Sequence, residues 1–566
     1  MNLNATIDPQ TTSPSGVTIA ASREAREEGP PGVGFVESWL RGHIKAVALT
    51  ITAAGFAARI ASATTTYLNP DEILHYLLID QPSLFLAYKA SLTNAHPPLI
   101  YLVLYACHLV GRSELVLRLP LILAGTAFCW LMFEWVQTLF RGAAGLFALV
   151  VVAFSPIQIA LSAEIREYAL LLCCISAALY FLERAFQEKS SRMMWCFSLS
   201  LYLAILSHYS AVFFVIACGV YALARFADSK SPRTLLAQWA IVQLGALAIY
   251  LFLYVTHVSK IKDHVALWAL PFGDTFFQSG QQSIFRFTGV NTWNIFLYMF
   301  AQSYVAEAML IACIGGVAFL FFRDFTHTSG KQDSRHLGIQ LLLPFLGIWA
   351  AALAGIYPYV GSRHTAVLTP FVIAAASFAF AAACRKRLWP ALLAASLLAG
   401  VSLGYANPSE PGFTKADQNR RLMTAAVGEL RQAIPEGGLI LVDQESSLAL
   451  AFYYCEPQAH LLNWSGAEFD ELHCQGHPVV TLHFWHLRPE GLAESFEKMA
   501  QHYGLKPGNR VWVFQAGWKG YLLAKLPEQL AQFRCVTPKT FGENITIVPL
   551  MVGPDLSPIA QAPCPN

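Results

Sequence analysis

The stretch YLNPDEILHY, residues 67–76, sets Asp71 and Glu72 side by side directly after a long apolar segment. Two readings of the pair follow from residue type and spacing. Asn69 is a good N-cap, Pro70 suits the first helical position, and Glu72 stands at the capping-box distance, so Glu72 reads equally well as a helix cap and as a reacting acid. Asp71 is not needed for the cap. A carboxylate at a membrane boundary in so apolar a chain points to function. On a helix Asp71 and His75 are i, i+4 neighbours, whereas Asp71 and Glu72 diverge.

Four further stretches carry groups of the same kind. In SLTNAHPPLIYLVLY two prolines fix the entry of the chain and hold His96 at a definite place, either as an interfacial hydrogen-bonding residue or as a ligand. In GRSELVLRLPLILAG Arg118 lies just inside an apolar segment, a costly place unless it snorkels, pairs with a loop carboxylate or meets a phosphate. SPIQIALSAEIREYALLL sets Glu164 and Glu167 at i, i+3 around Arg166, with Tyr168 opening the next apolar segment. SHYS and SRHTAVLTP add His208, Tyr209, Arg363 and His364, and Lys260, Lys262 and Arg286 lie between them in the chain. Acids, arginines and histidines gathered in this way suit a phosphate-bearing lipid and a reaction that needs a base.

The elements that must position these groups follow from composition. Of 566 residues, 55% are hydrophobic and only 13% charged, with mean hydropathy +0.45; ordinary soluble domains carry about a quarter charged residues. Charges are sparse from about residue 42 to 405 and normal afterwards, which describes an all-α polytopic membrane domain followed by a small soluble domain. About eleven spanning segments are expected, near 43–63, 115–139, 143–161, 168–184, 195–209, 211–226, 236–256, 294–321, 337–356, 365–383 and 388–405. Segment 96–111 is taken to lie along the membrane rather than cross it. With that choice most Lys and Arg of the membrane half share one side, which the positive-inside rule makes cytoplasmic. The loops 64–114, 162–168, 206–210 and 257–293 and the stretch 355–364 then meet on the extracytoplasmic face. Loop 257–293, with its three cations, is the exception to the charge rule.

The N-terminal 1–42 is polar, expected to be disordered and cytoplasmic, and shows no cleavable signal. The tail, 412–566, reads as an extracytoplasmic α/β domain: a helix over 415–434, strands at 438–443, 478–484 and 510–517, and a helix over 444–455. It shows no phosphate loop, metal cluster or nucleophile elbow. Of twelve cysteines, eight accompany apolar segments; the tail's Cys455, Cys474, Cys535 and Cys564 permit disulfides in an oxidising compartment. The net charge of +2 and the lack of a basic tract give no reason to expect a nucleic-acid partner.

Taken in order, these stretches resemble the membrane glycosyltransferases of the GT-C fold, in the branch of the protein O-mannosyltransferases and lipid A aminoarabinose transferases (glycosyltransferase family 39-like). NPDEILHY is similar to the family's first-loop acidic motif, AHPPLIYLVLY to its His/Lys-Pro-Pro element, GRSELVLRLPLILAG to its Arg-Leu-Pro helix start, and SPIQIALSAEIREYALLL to its Ser-Pro and Arg-Tyr segment. The resemblance spans about 43–405 and is dense in 64–185. It implies inverting transfer of a sugar from a polyprenyl-phosphate donor to a glycan, lipid or protein acceptor outside the cytoplasm, in a bacterial inner membrane. Asp71 becomes the base, with Glu72 positioning it, and Arg118, Arg166, Arg363 and Lys260 candidates for the donor phosphate. His96, Glu164, Tyr168 and His208 complete the expected binding site. The family's second acidic position follows the arginine; here Glu164 and Glu167 flank Arg166, and both stand open. No organic cofactor is implied, and the resemblance leaves a divalent metal open. The alternative from another class is a transporter or flippase for a lipid-linked sugar. Such proteins show internal repeats and helices broken at mid-membrane, whereas this sequence has no evident repeat and collects its polar groups at one face.

Overall fold

A computed structural model describes residues 31–140, 142–228, 232–260, 275–322, 326–327, 330–331, 334–404, 418–455, 469–482, 489–517, 538–552 and 558–560. Helix α1 (Pro31–Gly42) occupies the end of the segment expected to lack order. Leu40 is buried, and the Glu37 carboxylate accepts the backbone N–H groups of Leu388 and Trp389, which ties α1 to the start of a later helix.

Eight helices are long and apolar enough to cross a membrane, and a bent pair makes nine among the described residues. The first are α2 (Ile44–Thr65), α6 (Glu114–Leu139) and the pair α7 (Ala143–Phe154) and α8 (Pro156–Ser162). Between α2 and α6 lie three short helices, α3 (Pro70–Ile79), α4 (Leu84–Ser91) and α5 (Leu99–His108). Helix α5, inside the segment expected not to span, has ten residues and reaches about 15 Å, half a hydrocarbon core. There follow α9 (Tyr168–Glu188), α10 (Ser191–Ser207), α11 (Ala211–Asp228), α12 (Arg233–Leu253), α13 (Ile284–Phe300), α14 (Ser303–Phe322), α15 (Ser334–Leu353), α16 (Thr369–Ala383) and α17 (Leu388–Gly404). Helices α10 and α17, at 17 residues each, are shorter than a full span. With the bent pair they make up the eleven apolar segments expected. One expected span, 294–321, is instead two helices: the chain turns at Ala301, whose φ of +61° ends α13 before α14 begins.

The break between α7 and α8 bends the chain by 62°. Pro156 has no N–H, so the carbonyl of Val152 loses its helical donor. Arg59, fully buried in α2, supplies the replacement: Nη2 donates to Val152 O (3.3 Å) and Nη1 to Ala153 O (3.1 Å) and Gly55 O (3.0 Å). Gly125 makes room for this junction, because a Cβ there would fall 2.0 Å from Ser162 Oγ.

The tail holds α18 (Arg420–Ala433), α19 (Gln444–Tyr453), α20 (Pro489–His502) and a seven-stranded sheet. Its strands are β1 (Leu439–Asp443), β2 (Phe469–Cys474), β3 (His477–Leu482), β4 (Arg510–Ala516), β5 (Lys539–Phe541), β6 (Ile545–Val552) and β7 (Pro558–Ala560). They run in the order β2-β3-β1-β4-β6-β5, with β7 also on β6. Central β1 is parallel to β3 and β4 and buried along its whole length, as a strand covered on both faces must be. Leu439 and Leu441 face Phe496 and Met499 of α20. Ile440 and Val442 face a cluster that includes α18, α19 and the first-loop residues Ile73, Leu77, Tyr101 and Leu104. The tail therefore shares one apolar core with the loop that carries the acidic pair. A disulfide joins Cys455 to Cys474; Cys535 and Cys564 lie outside the described residues.

Candidate active site

Helix α3 begins with the expected capping box. Asn69 accepts from Glu72 N (3.0 Å) and Glu72 Oε2 accepts from Asn69 N (2.9 Å), with Pro70 in the first turn. The Glu72 carboxylate is fully buried and forms a two-pronged pair with Arg118, Nε to Oε1 and Nη2 to Oε2, both 2.8 Å. Ile165 N donates to Oε1 as well, at 2.9 Å. Arg118 also donates to Tyr67 O (3.0 Å), Ala63 O (2.8 Å) and Thr66 O (2.9 Å). Its five N–H groups are all engaged, so Arg118 has none to offer a phosphate. Of the readings open at the sequence level, the loop-carboxylate pair is the one the geometry carries, and Glu72 is the centre of a clamp rather than a reacting acid.

Asp71 points the other way. Its carboxylate is part-exposed, and Oδ2 lies 3.0 Å from Arg166 Nη1 and 2.7 Å from Arg363 Nη2. Burial alone would raise its pKa, but the Arg166 and Arg363 cations outweigh it and hold the carboxyl at about 2. Asp71, from the first loop, Arg166, from the turn before α9, and Arg363, at the start of the 3₁₀ turn before α16, thus form one charged triad.

Beneath it sits Glu167, fully buried, ringed by three imidazoles. His96 Nδ1 is 3.2 Å from Oε1, His75 Nε2 is 3.7 Å from Oε2 and His208 Nε2 is 3.9 Å from Oε1, with Arg166 Nε at 3.9 Å. Burial pushes His96 well below the usual imidazole range, against the pull of Glu167. Tyr168 is buried against this group, its ring 5.9 Å from the Arg166 guanidinium carbon and 5.3 Å from the His208 ring. The loop bearing His96 is held from behind, where His257 Nε2 meets Asn94 O (2.6 Å) and Tyr209 OH meets His257 Nδ1 (2.6 Å).

Of the residues expected to form a site, Asp71, His96, Arg166, Tyr168, His208 and Arg363 come together here. Glu164 lies at the rim, half-buried and within electrostatic reach of Arg166. Lys260 is exposed, beyond the His257 contact, and Lys262 lies outside the described residues. His96 faces Glu167. Sequence reasoning gave no role to Glu114 or Tyr453, which dock the tail: Tyr453 OH hydrogen-bonds Glu114 and accepts from Leu68 N at 2.7 Å. The sequence signal for Glu114 was its place one residue after the helix cap Ser113.

Residues 95–258 match the family model described as dolichyl-phosphate-mannose-protein mannosyltransferase. No curated protein matches the chain. Among solved structures, ArnT from Cupriavidus metallidurans bound to undecaprenyl phosphate is similar at 12% identity and a TM-score of 0.52, over 88% of this chain and 97% of that one. Its apo state gives 13% identity, 0.50, 89% and 98%. The Archaeoglobus fulgidus oligosaccharyltransferase, tethered to an acceptor peptide, gives 12% identity and 0.42, over 74% and 64%. The fold is that of the GT-C membrane glycosyltransferases, as the ordered motifs led us to expect. The segment that carries His96, Arg118, Arg166 and His208 is the one that matches the mannosyltransferase family model.

Proposed function

We propose that the chain is an inverting glycosyltransferase that moves a sugar from a polyprenyl-phosphate donor to a hydroxyl-bearing acceptor at the extracytoplasmic face of a bacterial inner membrane. The observation that carries this reading is the triad of Asp71 with Arg166 and Arg363, set where the first loop, the α8–α9 turn and the start of the 3₁₀ segment meet. The fold it sits in is shared with a protein solved with undecaprenyl phosphate bound. A phosphate needs cationic donors and an attacking hydroxyl needs a base, and this triad holds both in one place.

The donor phosphate competes with Asp71 for the two guanidinium groups. As they turn to the phosphate, Asp71 loses both partners and is free to take the proton of the acceptor hydroxyl. The acceptor oxygen then attacks the anomeric carbon from the side opposite the phosphate, the bond from that carbon to the phosphate oxygen breaks, and Arg166 and Arg363 stabilise the charge left on the phosphate. The opposite end of the bundle, where Arg41 donates to Lys386 O and Arg225 pairs with Glu183, carries the basic loops assigned to the cytoplasm. The Cys455–Cys474 bond agrees with a tail in an oxidising compartment.

The test is transfer of radiolabelled sugar from polyprenyl-phosphate donors in membranes. Asp71→Asn is expected to lower the rate roughly 10²–10⁴-fold, the contribution typical of general base catalysis, while the protein stays folded in the membrane. A donor-dependent transfer that the variant performs at full rate would remove Asp71 from the chemistry.

A further inference from the structure

Nothing in the setting of Asp71, Arg166 and Arg363 calls on helix α1, which lies at the far end of the bundle. His43 alone separates α1 from α2, and α2 runs 22 residues, about 33 Å, before the first loop begins. On α1 Phe35, Val36 and Trp39 are 72, 45 and 48% exposed, and they share an arc of about 100° of the helix surface. Beside that arc the buried Leu40 and the Glu37 carboxylate, which accepts from Leu388 N and Trp389 N, hold α1 against the start of α17. Arg41 follows, paired with Glu37 at 2.6 Å and donating to Lys386 O. A helix fixed along one side with an open apolar face marks an interaction surface.

We propose that α1 is an interfacial helix that seats in a leaflet containing anionic phospholipid, with Phe35, Val36 and Trp39 at the acyl boundary and a basic collar on the headgroup phosphates. Residues 31–45 and 384–389 hold five Lys and Arg against one acid, Glu37. Glu37 is engaged by Arg41 and by the two N–H groups of α17, so the surplus charge of the collar is positive. Its exposed members include Lys45, Arg385 and Lys386. Arg385 and Lys386 have φ of +50° and +60°, left-handed backbone that glycine adopts without steric cost. The turn therefore carries two long cationic side chains at positions where its geometry alone favours glycine.

Depth decides what covers the face. Glu37 and Arg41 are level with residues 386–389, at the end of an apolar helix, which sets the apolar arc at the height of lipid headgroups. Phe and Trp on one face with Lys and Arg beside it is the composition of helices that lie in that region. An anionic leaflet supplies both the apolar layer and the countercharge. Neither the seat nor its test depends on the transferase reading.

Full-length protein is placed in nanodiscs of phosphatidylcholine alone or with added phosphatidylglycerol, and hydrogen exchange of the α1 amides is followed by mass spectrometry. Exchange should slow when phosphatidylglycerol is added. The double variant Arg385→Asn with Lys386→Asn keeps residues that tolerate positive φ. It should lose roughly 25-fold of that slowing, about five-fold for each basic residue, with its melting temperature in detergent unchanged. Phe35→Ser with Trp39→Ser, on the exposed face, should exchange faster in both lipids. Protection that is the same with and without phosphatidylglycerol, or that the charge variant keeps in full, would overturn the proposal. So would protection seen only in discs that hold two copies of the chain, the mark of a protein partner on this face.

Discussion

Replacing Arg118 separates a structural arginine from a phosphate-binding one. Arg118→Met keeps the stem of the side chain and removes the guanidinium. Glu72 then keeps its donors from Asn69 N and Ile165 N but loses both prongs of a pair at 2.8 Å, in a place with no solvent access. The carbonyls of Ala63, Thr66 and Tyr67 lose their donor at the same time. Breaking a buried pair from one side costs about 3–5 kcal/mol, and the freed carbonyls add to it. Arg118→Lys keeps the charge but has three donors in place of five and no fork, so it should fall between wild type and Arg118→Met. The double variant Glu72→Gln with Arg118→Met removes the stranded charge and should recover part of the loss. The assay is thermal unfolding in detergent, followed by the donor KM of whatever protein remains folded. If Arg118→Lys melts like wild type and raises only the donor KM, Arg118 holds substrate and the clamp assigned to it is wrong.

Three other outcomes follow from buried groups. Arg59→Leu strips the donors that satisfy Val152 O and Ala153 O at the Pro156 break and should destabilise the protein by about 1–3 kcal/mol for each carbonyl left without a partner, seen as a lower melting temperature. Tyr453→Phe removes a hydroxyl shared by Glu114 and Leu68 N; the expected loss is about 1–3 kcal/mol, read as faster proteolytic release of the tail with the membrane part intact. Cys455→Ser opens a link across 19 residues and should lower the stability of the tail by about 3 kcal/mol, measured by unfolding under non-reducing conditions, with no effect expected under strong reduction.

The membrane helices were legible because a bilayer demands long apolar runs, and the capping box of α3 was legible because it is written within four residues. The strands of the tail were found at the three short apolar runs, 438–443, 478–484 and 510–517; β2, FDELHC, was missed because an edge strand need not be apolar on either face, and β5, β6 and β7 were missed as well. The helix pair inside 294–321 was read as one span because a turn at Ala301 uses an ordinary residue with positive φ and no Gly or Pro to mark it. The acids and arginines of the site were visible as types, but their sorting was not. Arg118 and Arg166 look alike in sequence, and only packing shows that one faces Glu72 and the other Asp71. Arg59 left a signal that was passed over, an arginine in the middle of an apolar segment.

The hydrogen bond from Leu68 N to Tyr453 joins positions 385 residues apart, and it lies one residue before the cap of the helix that presents Asp71. During synthesis the first loop emerges long before Tyr453 is made, and every intervening helix must be inserted before the two can meet. The contact that steadies the entry to α3 is therefore among the last to form, and a chain that stops short of Tyr453 lacks it.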